Sequence, residues 1–548
     1  MPPAELKGEF RMRLLAIFVM LVSLSPAWGD EGHHHELTEE EVGSVHFATS
    51  CSKSVEASFN HAIALLHSFQ YENTRHAFEE VAQRDPGCAM AQWGIAMSHY
   101  HGLWASGDPV AGRSAVLKAQ AIASANSKTT AREKQYIDAL AEIYREDGKD
   151  NAAHARAFEE KMAELQDRYP DDTEAAIFHA LMLKITASKT DRTFANERKC
   201  GEILEPIFRK LPHHPGVAHY LIHCYDNPVL AEKGLNAARM YARIAPASAH
   251  ANHMPSHIFT RVGSWDESIA SNRRSAELAS HDEATSKNGE ARDQHLHAMD
   301  YLEYAYLQSG LVRQANAILE EMNSLSPVPG LTLTGDYALA AVPARNTVEL
   351  GKWKQASELQ ARGEGVPWAQ GITWMAVGVG SARSGNLARA AEAEEKLASL
   401  RDTTAKLNNT YWSNQIEVQR REVAGWISQA NGDHEKAVGV LRTAAELEES
   451  MDKDAVTPGP VVPAREMLAE LLLAGKKPEA ALVEYQSVLK IAPNRFNALF
   501  GAATAADMAG QFDLANQFFR KLTQIAGGEE RPELVTARKK LGLIASAR

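Results

Sequence analysis

The chain has 548 residues and a formal net charge of −12; 45% of the residues are hydrophobic, 23% are charged and 7% are aromatic. A chain of this length exceeds a single compact core, so several domains or an extended repeat array are expected. The acidic balance opposes a nucleic-acid role, because neutralising phosphates requires clustered Lys and Arg. A large hydrophobic share with few aromatic residues favours helices over β-sheets.

The first 29 residues predict a secretory signal peptide. Arg11 and Arg13 precede an apolar run over residues 14–24, and Ala27 and Gly29 are the small residues expected before a cleavage site. The run is shorter than the roughly 20 apolar residues that a membrane-spanning helix needs. We therefore predict an exported protein, periplasmic or secreted, with no membrane span after signal cleavage.

Four cysteines remain after the signal peptide. They are Cys51, Cys88, Cys200 and Cys224, and an even count in an exported chain permits two disulfides. Sequence proximity favours Cys51 with Cys88 and Cys200 with Cys224. Buried free thiols are the alternative for each pair.

A repeat runs along nearly the whole mature chain. Pro246 and Pro493 each lie 17 residues before a glycine, Gly263 and Gly510, and each glycine is followed two residues later by an aromatic residue. Five further turns pair a glycine with an alanine five residues later: Gly310 with Ala315, Gly351 with Ala356, Gly385 with Ala390, Gly432 with Ala437 and Gly475 with Ala480. Glycine supplies a left-handed helix C-cap there, and alanine permits two helices to cross closely.

This pattern resembles the tetratricopeptide repeat (TPR), a helix-turn-helix unit of 34 residues. The resemblance implies an all-α superhelical solenoid, and the turns correspond to about eleven or twelve helical pairs. HANHMPSHIFTRVGSWDESI, at residues 250–269, and DPGCAMAQWG, at residues 85–94, also resemble a family of exported bacterial TPR-domain proteins of unsettled function. The expected organisation is a signal peptide (1–29), a flexible acidic and His-containing tail (30–50), N-terminal repeats (51–280), a linker (281–294), C-terminal repeats (295–526) and a helical tail (527–548).

The chain's 22 histidines are concentrated in the middle repeats. Two triplets have helical spacing, so the members of each lie on one helix face: His219, His223 and Asp226, and His250, His253 and His257. Counted back from the repeat turns, matching rows contain His219, His253 and Asp300; His223, His257 and Tyr304; and His250 and His297. The TPR resemblance implies that these rows line the concave groove.

Converging imidazoles and carboxylates permit three interpretations. They suit a Zn, Cu, Fe or Ni site, a general acid/base pocket near neutral pH, or a polar groove that binds a peptide or a carboxylate. The metal-ligand candidates are His219, His223, His250, His253, His257 and His297, and the ligand-groove candidates are Asp226, Asp300 and Tyr304. Pro255 interrupts the second histidine helix, and the resulting kink is either tolerated or aims His253 and His257 inward.

Two functions follow from these patterns. The first is an exported scaffold that recognises a protein or peptide ligand in its groove, without catalysis or a cofactor, since the sequence contains no GxSxG or HExxH motif. The alternative is a metal-binding protein or metalloenzyme that uses the histidine and aspartate cluster of the middle repeats. The sequence leaves open whether any reaction is catalysed.

Overall fold

The computed structural model describes residues 38–103, 106–148, 150–283, 289–326, 331–363, 365–527 and 531–544. The predicted signal peptide, residues 1–29, therefore lies outside the described residues. So do the three adjacent histidines of the predicted tail, His33, His34 and His35.

The described chain is almost entirely α-helical. Its α-helices are α1 (Glu39–Val42), α2 (Glu56–His67), α3 (Tyr71–Arg84), α4 (Ala89–Ser98), α5 (Pro109–Ala125), α6 (Ala131–Ala141), α7 (Asn151–Arg168), α8 (Thr173–Ile185), α9 (Ala195–Lys210), α10 (Pro215–Tyr225), α11 (Ala231–Ile244), α12 (Ala249–His253), α13 (Pro255–Val262), α14 (Trp265–Glu283), α15 (Glu290–Gln308), α16 (Val312–Ser324), α17 (Leu333–Glu349), α18 (Trp353–Ser357), α19 (Pro367–Arg383), α20 (Leu387–Lys406), α21 (Thr410–Ala430), α22 (His434–Glu449), α23 (Ala464–Ala474), α24 (Pro478–Ile491), α25 (Phe496–Met508), α26 (Phe512–Ile525) and α27 (Pro532–Lys540). A 3-10 helix, Lys53–Val55, precedes α2, and the strands β1 (Tyr100–His101) and β2 (Ser106–Gly107) pair antiparallel. Among these helices, none combines the length and apolar character required to span a membrane.

The helices pack in adjacent pairs. α2 packs on α3, α4 on α5, and the pattern continues to α25 and α26. α12 and α13 are two parts of one helix, separated at Met254 immediately before Pro255. With these two counted as one, twelve successive pairs run from α2 to α26, and α27 follows them. The predicted all-α solenoid of about eleven or twelve TPR-like pairs is confirmed.

Most of the predicted glycine turns have the expected left-handed backbone. Gly263, for example, has φ +69°, and the next amide N–H closes onto the carbonyl of Phe259. Gly475 is the exception, because its φ is −77° and Lys476 has φ +58° instead. The turn between α23 and α24 therefore lies one residue later than predicted, and Ala481 rather than Ala480 is buried at the helix crossing.

Parts of two segments that were predicted to be irregular are packed or helical. In the predicted flexible tail, residues 30–50, Val42, Val45 and Phe47 are buried, and Phe47 packs against Phe59, Trp93 and Tyr136. The predicted linker, residues 281–294, is helical at both ends, since α14 continues to Glu283 and α15 begins at Glu290. Residues 284–288 between them lie outside the described residues.

The segment Asp452–Pro463, named the inner loop, lies inside the solenoid. Asp452 N–H donates to the carbonyl of Lys189 at 2.8 Å, and Asp454 N–H donates to the Tyr411 hydroxyl at 2.8 Å. The inner loop therefore joins the N-terminal and C-terminal repeats.

Two further sets of contacts fix the middle repeats. The Trp265 indole donates to the carbonyl of Asn494 at 2.9 Å, and the Asn494 side chain donates to the carbonyl of Gly263 at 2.9 Å. Both favoured disulfides are formed, Cys51–Cys88 and Cys200–Cys224, and the second joins α9 to the histidine-bearing helix α10. The middle repeats are thus held from both sides.

Candidate metal centre

Three of the candidate histidines form one buried cluster, named site A. His219 and His223 lie one turn apart on α10, and His250 comes from α12. The Nε2 atom of His219 lies 3.1 Å from His223 Nε2 and 3.0 Å from His250 Nε2. All three side chains are buried, so their nitrogens face one another rather than solvent.

The other three candidates form a second buried cluster, named site B. His253 ends α12, His257 lies on α13 and His297 lies on α15. His253 Nε2 and His257 Nε2 are 3.0 Å apart, and the His297 ring centroid lies 4.3 Å from that of His253. In each site, one ligand atom per histidine can be chosen so that the three lie within 4.8 Å of one another.

The two sites are neighbours built by the same repeat geometry. In each, two histidines four residues apart on one first helix meet a histidine from the first helix of the next repeat. The ring centroids of His223 and His257 are 6.2 Å apart, and those of His250 and His253 are 6.5 Å apart. The separation of 34 residues between the two histidine pairs is thus one repeat period.

Outer hydrogen bonds fix the proton positions on three of the six rings. His219 Nδ1 donates to the carbonyl of His67 at 2.6 Å, and His257 Nδ1 donates to the Asp226 carboxylate at 2.9 Å. His253 Nδ1 donates to Asn272 Oδ1 at 2.7 Å, and this amide is oriented because its Nδ2 donates to a backbone carbonyl. A neutral imidazole that donates from Nδ1 presents a lone pair at Nε2.

Burial keeps these rings neutral. It is the largest cause lowering the pKa of every site histidine, and neighbouring imidazoles lower it further at His219, His223, His250, His253 and His297. The pKa of His257 is also lowered by burial, although the Asp226 carboxylate opposes the shift. A buried imidazole without a charge is the form that binds a metal ion.

Asp226, a predicted groove residue, instead supports site B from outside. Its carboxylate accepts from His257, from Arg261 Nε at 2.8 Å and from Lys453 Nζ at 3.0 Å. Burial alone would raise the pKa of Asp226, but Lys453, Arg261 and His257 outweigh it and hold the pKa well below its ordinary value. The ionised carboxylate therefore fixes the orientation of the His257 ring.

Tyr301 contacts site B, although it was not among the candidate residues predicted from the sequence. Its ring centroid lies 4.8 Å from those of His253 and His257, and its hydroxyl donates to the inner-loop carbonyl of Thr457 at 2.9 Å. Tyr301 follows His297 by four residues on α15, so helical spacing alone pointed to it.

Asp300 and Tyr304, the other two groove candidates, do not reach either site. Asp300 accepts a hydrogen bond of 2.6 Å from the buried guanidinium of Arg345, which is brought in by α17. Tyr304 packs against Trp265, and its hydroxyl lies 3.5 Å from Arg495. All three groove candidates are therefore buried and paired within this chain.

A third group, His67, Glu174 and His214, lies behind site A. Each oxygen of the Glu174 carboxylate is already bonded to one imidazole, at 2.9 Å to His67 and 2.8 Å to His214. Burial alone would raise the pKa of Glu174, but the two histidines lower it to about 2. The two imidazole rings also pack edge to face, with centroids 4.9 Å apart, and the Glu174 carboxylate bridges them. This hydrogen-bonded group holds His67, whose carbonyl accepts the hydrogen bond from His219.

One cavity leads towards the histidines. It has a volume of about 80 Å³, and His223 and Asp226 are among its lining residues. Lys184, Lys189 and Lys453 also line it, together with the inner-loop residues 452–455. Site A is thus adjacent to a small polar cavity.

Comparisons with known proteins add little to this geometry. The chain matches no protein-family model and no curated protein. Among solved structures it is similar to one titled "Structure of Naa15/Naa10 bound to HypK-THB", with 12% sequence identity, a TM-score of 0.24, and coverage of 89% of this chain and 86% of that chain. A similarity at this level carries no argument about function. Fold and site together define the class as an all-α helical-repeat protein with a buried six-histidine cluster.

Proposed function

We propose that this protein is a metal-binding helical-repeat protein that holds one transition-metal ion in site A and a second in site B. Imidazole ligands suit Zn, Cu, Fe and Ni, the metals expected from the sequence.

The single observation that carries the proposal is the contact between His253 and His257. Both rings donate from Nδ1, so both Nε2 atoms, 3.0 Å apart, present lone pairs to each other. Two facing lone pairs repel unless a cation or a proton lies between them, and burial opposes protonation of either ring. A metal ion between the two Nε2 atoms removes the repulsion without protonation of either ring.

The distances also suit ligands of one ion. Two nitrogens each about 2.1 Å from a tetrahedral metal lie about 3.4 Å apart. The observed separations of 3.0 and 3.1 Å are close to that value and need only a small movement of the rings. His297 adds a buried Nδ1 atom that has no hydrogen-bond partner in the described chain. This is expected of a nitrogen that serves as a metal ligand.

The outer contacts are those that metal-bound histidines usually make. Ligating imidazoles donate their second N–H to a carboxylate or a backbone carbonyl, which fixes the tautomer and ring orientation. Asp226 and the His67 carbonyl supply these two kinds of partner here. Three protein ligands per ion leave a coordination position open, which is typical of catalytic rather than structural metal sites. For site A, the cavity at His223 offers an exogenous ligand a route towards that position.

The experiment is metal analysis of the protein purified without a histidine tag. We expect two transition-metal ions per chain, and about one after His253→Ala and His257→Ala are combined. The matched control combines His76→Ala and His281→Ala, two exposed histidines outside both sites, and should retain two ions. A native protein that contains no metal, and takes up none when Zn²⁺, Cu²⁺, Ni²⁺ or Fe²⁺ is added, would overturn the proposal.

Export is part of the same proposal. The predicted signal peptide and the two disulfides, Cys51–Cys88 and Cys200–Cys224, support a protein that works in an oxidising compartment. Thiol alkylation of freshly fractionated cells should label no cysteine in the native protein. Recovery in the cytoplasmic fraction with four labelled thiols would contradict this.

A protein or peptide partner stays a prediction. No open groove contact is provided by Asp226, Asp300 or Tyr304, because each is buried against its own chain. We therefore expect a protein or peptide partner to bind through residues other than these three.

A further inference from the structure

A second cavity also borders the inner loop. It has a volume of about 140 Å³ and lies where the inner loop meets the helices α19, α21 and α22. Four aromatic side chains line it: Tyr304, Tyr337, Tyr411 and Trp412. The inner-loop residues Pro458, Pro460 and Val461 add an apolar wall.

Two lining carboxyl groups have no cationic partner in the part of the chain that the structure describes. Glu422 on α21 is 2% exposed, and within the described residues its carboxyl group makes neither an ion pair nor a hydrogen bond. Glu448 on α22 lines the same cavity and accepts only the amide N–H of Ala464, at 3.0 Å, in the described chain. Burying a carboxyl group such as that of Glu422 without a counter-charge is costly, so its retention calls for an explanation.

The cations around the cavity are already engaged elsewhere. Arg261 pairs with Asp226 and Asp452, and Lys453 pairs with Asp226. Arg465 pairs with Glu449 and Glu484, and Arg192 lies 3.9 Å from Asp452. Among the residues that the structure describes, the cavity therefore has no unpaired positive charge that could neutralise Glu422 and Glu448.

The pKa values of Glu422 and Glu448 also indicate that the cavity has too little positive charge to stabilise both carboxylates in their ionised form. Burial and the neighbouring Glu448 raise the pKa of Glu422 well above its ordinary value. Burial, with a smaller contribution from Glu449, raises the pKa of Glu448 to about 8 against the opposing Arg495 and Arg465. A cation placed in the cavity would favour the ionised form of both carboxyl groups.

We propose that this cavity binds a small organic cation, an amine or quaternary ammonium group, between Glu422, Glu448 and the aromatic wall. Aromatic side chains attract such cations through their ring faces, and carboxylates attract them by charge. The proposal is independent of the two metal sites, because neither glutamate contacts a site histidine.

The test is calorimetric titration of the full chain with two pairs of probes. Choline is compared with its neutral isostere 3,3-dimethylbutan-1-ol, and benzylamine with benzyl alcohol. We expect at least one cation to bind at least about 10-fold more tightly than its isostere. Benzoate, which carries the opposite charge, should not bind at all. Both titrations are repeated after treatment with a chelator, and the result should be unchanged.

Glu422→Gln is the discriminating variant, since it keeps the side-chain shape and removes the charge. It should weaken binding of the cation at least about 10-fold and leave binding of the neutral isostere unchanged. The matched control, Glu446→Gln, changes an exposed glutamate on α22 and should bind as the native protein does. If neither cation binds, or if cation and isostere bind equally, the proposal is wrong. Equal cation binding by Glu422→Gln and the native protein would also overturn it.

Discussion

Replacing Asp226 by Asn separates the two metal sites most sharply. Its carboxylate receives three charge-assisted hydrogen bonds, from His257 at 2.9 Å, Arg261 at 2.8 Å and Lys453 at 3.0 Å. An amide of the same shape has one oxygen in place of two, and its NH₂ group repels donors. His257 then loses the contact that fixes its tautomer, whereas His219 keeps the His67 carbonyl.

The size of the effect follows from these contacts. Loss of an outer partner of a metal-bound histidine typically lowers metal affinity about 10- to 100-fold, or about 1.4 to 2.7 kcal/mol. We expect that loss at site B and less than about a 3-fold change at site A. Two-step titration of the metal-free protein with Co²⁺, followed by its visible absorption and by competition with a chelator, resolves the two affinities.

Two controls accompany this titration. Asp266→Asn changes an exposed aspartate at the start of α14 and should leave both affinities unchanged. Far-UV circular dichroism tests whether the Asp226→Asn variant is folded, because Arg261 and Lys453 lose a buried counter-charge. Equal losses at both sites, or no loss at site B in a folded variant, would refute the assignment of Asp226.

Three further predictions concern stability. The unfolded state binds protons on the six site histidines before the folded state does, because burial lowers each folded pKa below the ordinary value of 6.5. The stabilisation that these neutral histidines contribute is therefore present above pH 6.5 and is lost below it, by up to about 1.4 kcal/mol per group and pH unit. The urea midpoint of the metal-free protein should fall when the pH is lowered from 7.5 to 5.5. A higher midpoint at pH 5.5 would contradict this. Gly263→Ala should cost at least about 2 kcal/mol of the free energy of unfolding, since its Cβ would lie 2.2 Å from the Pro493 carbonyl, whereas Gly510→Ala, at a similar φ in open space, should cost about 1 kcal/mol. Equal urea midpoints for these two variants would refute the clash. Replacing Cys200 and Cys224 by Ala should cost about 3 kcal/mol, measured by urea unfolding, and an unchanged midpoint would show that the disulfide contributes nothing.

Local pattern predicted the parts of the fold that depend on one repeat at a time. The left-handed glycine at Gly263 and the buried alanine at Ala315 follow from the chemistry of a turn and a helix crossing. The turn at Lys476 was misplaced by one residue, because glycine at 475 matched the pattern although another residue has the positive φ. The segment around Phe47 shows the same limit of local pattern. It was predicted to be a flexible tail because it is polar, but the burial of this one aromatic residue makes it pack.

The parts of the candidate site that lie on one helix face could be predicted from the sequence. The spacing of His219 with His223, and of His253 with His257, placed each pair on one face, and the structure brings both pairs into clusters. Counting back from the repeat turns also placed Asp300 in a row with His219 and His253. Asp300 instead pairs with Arg345 on α17, which lies 45 residues away in the chain.

The inner loop was the least predictable element of the site. Lys453 reaches Asp226 across 227 residues of chain, and no local pattern encodes such a contact. The same loop fills the inner side of the solenoid that the TPR resemblance had assigned to a ligand. Long-range packing, rather than repeat chemistry, thus decides what the interior of this protein can bind.

An anomalous-difference electron density map from crystals of the untagged protein would locate both metal ions directly. Data are collected on both sides of the absorption edge of the metal found by elemental analysis. We expect two peaks per chain, one among His219, His223 and His250 and one among His253, His257 and His297. A map without a peak at either cluster, from protein soaked in that metal, would contradict it.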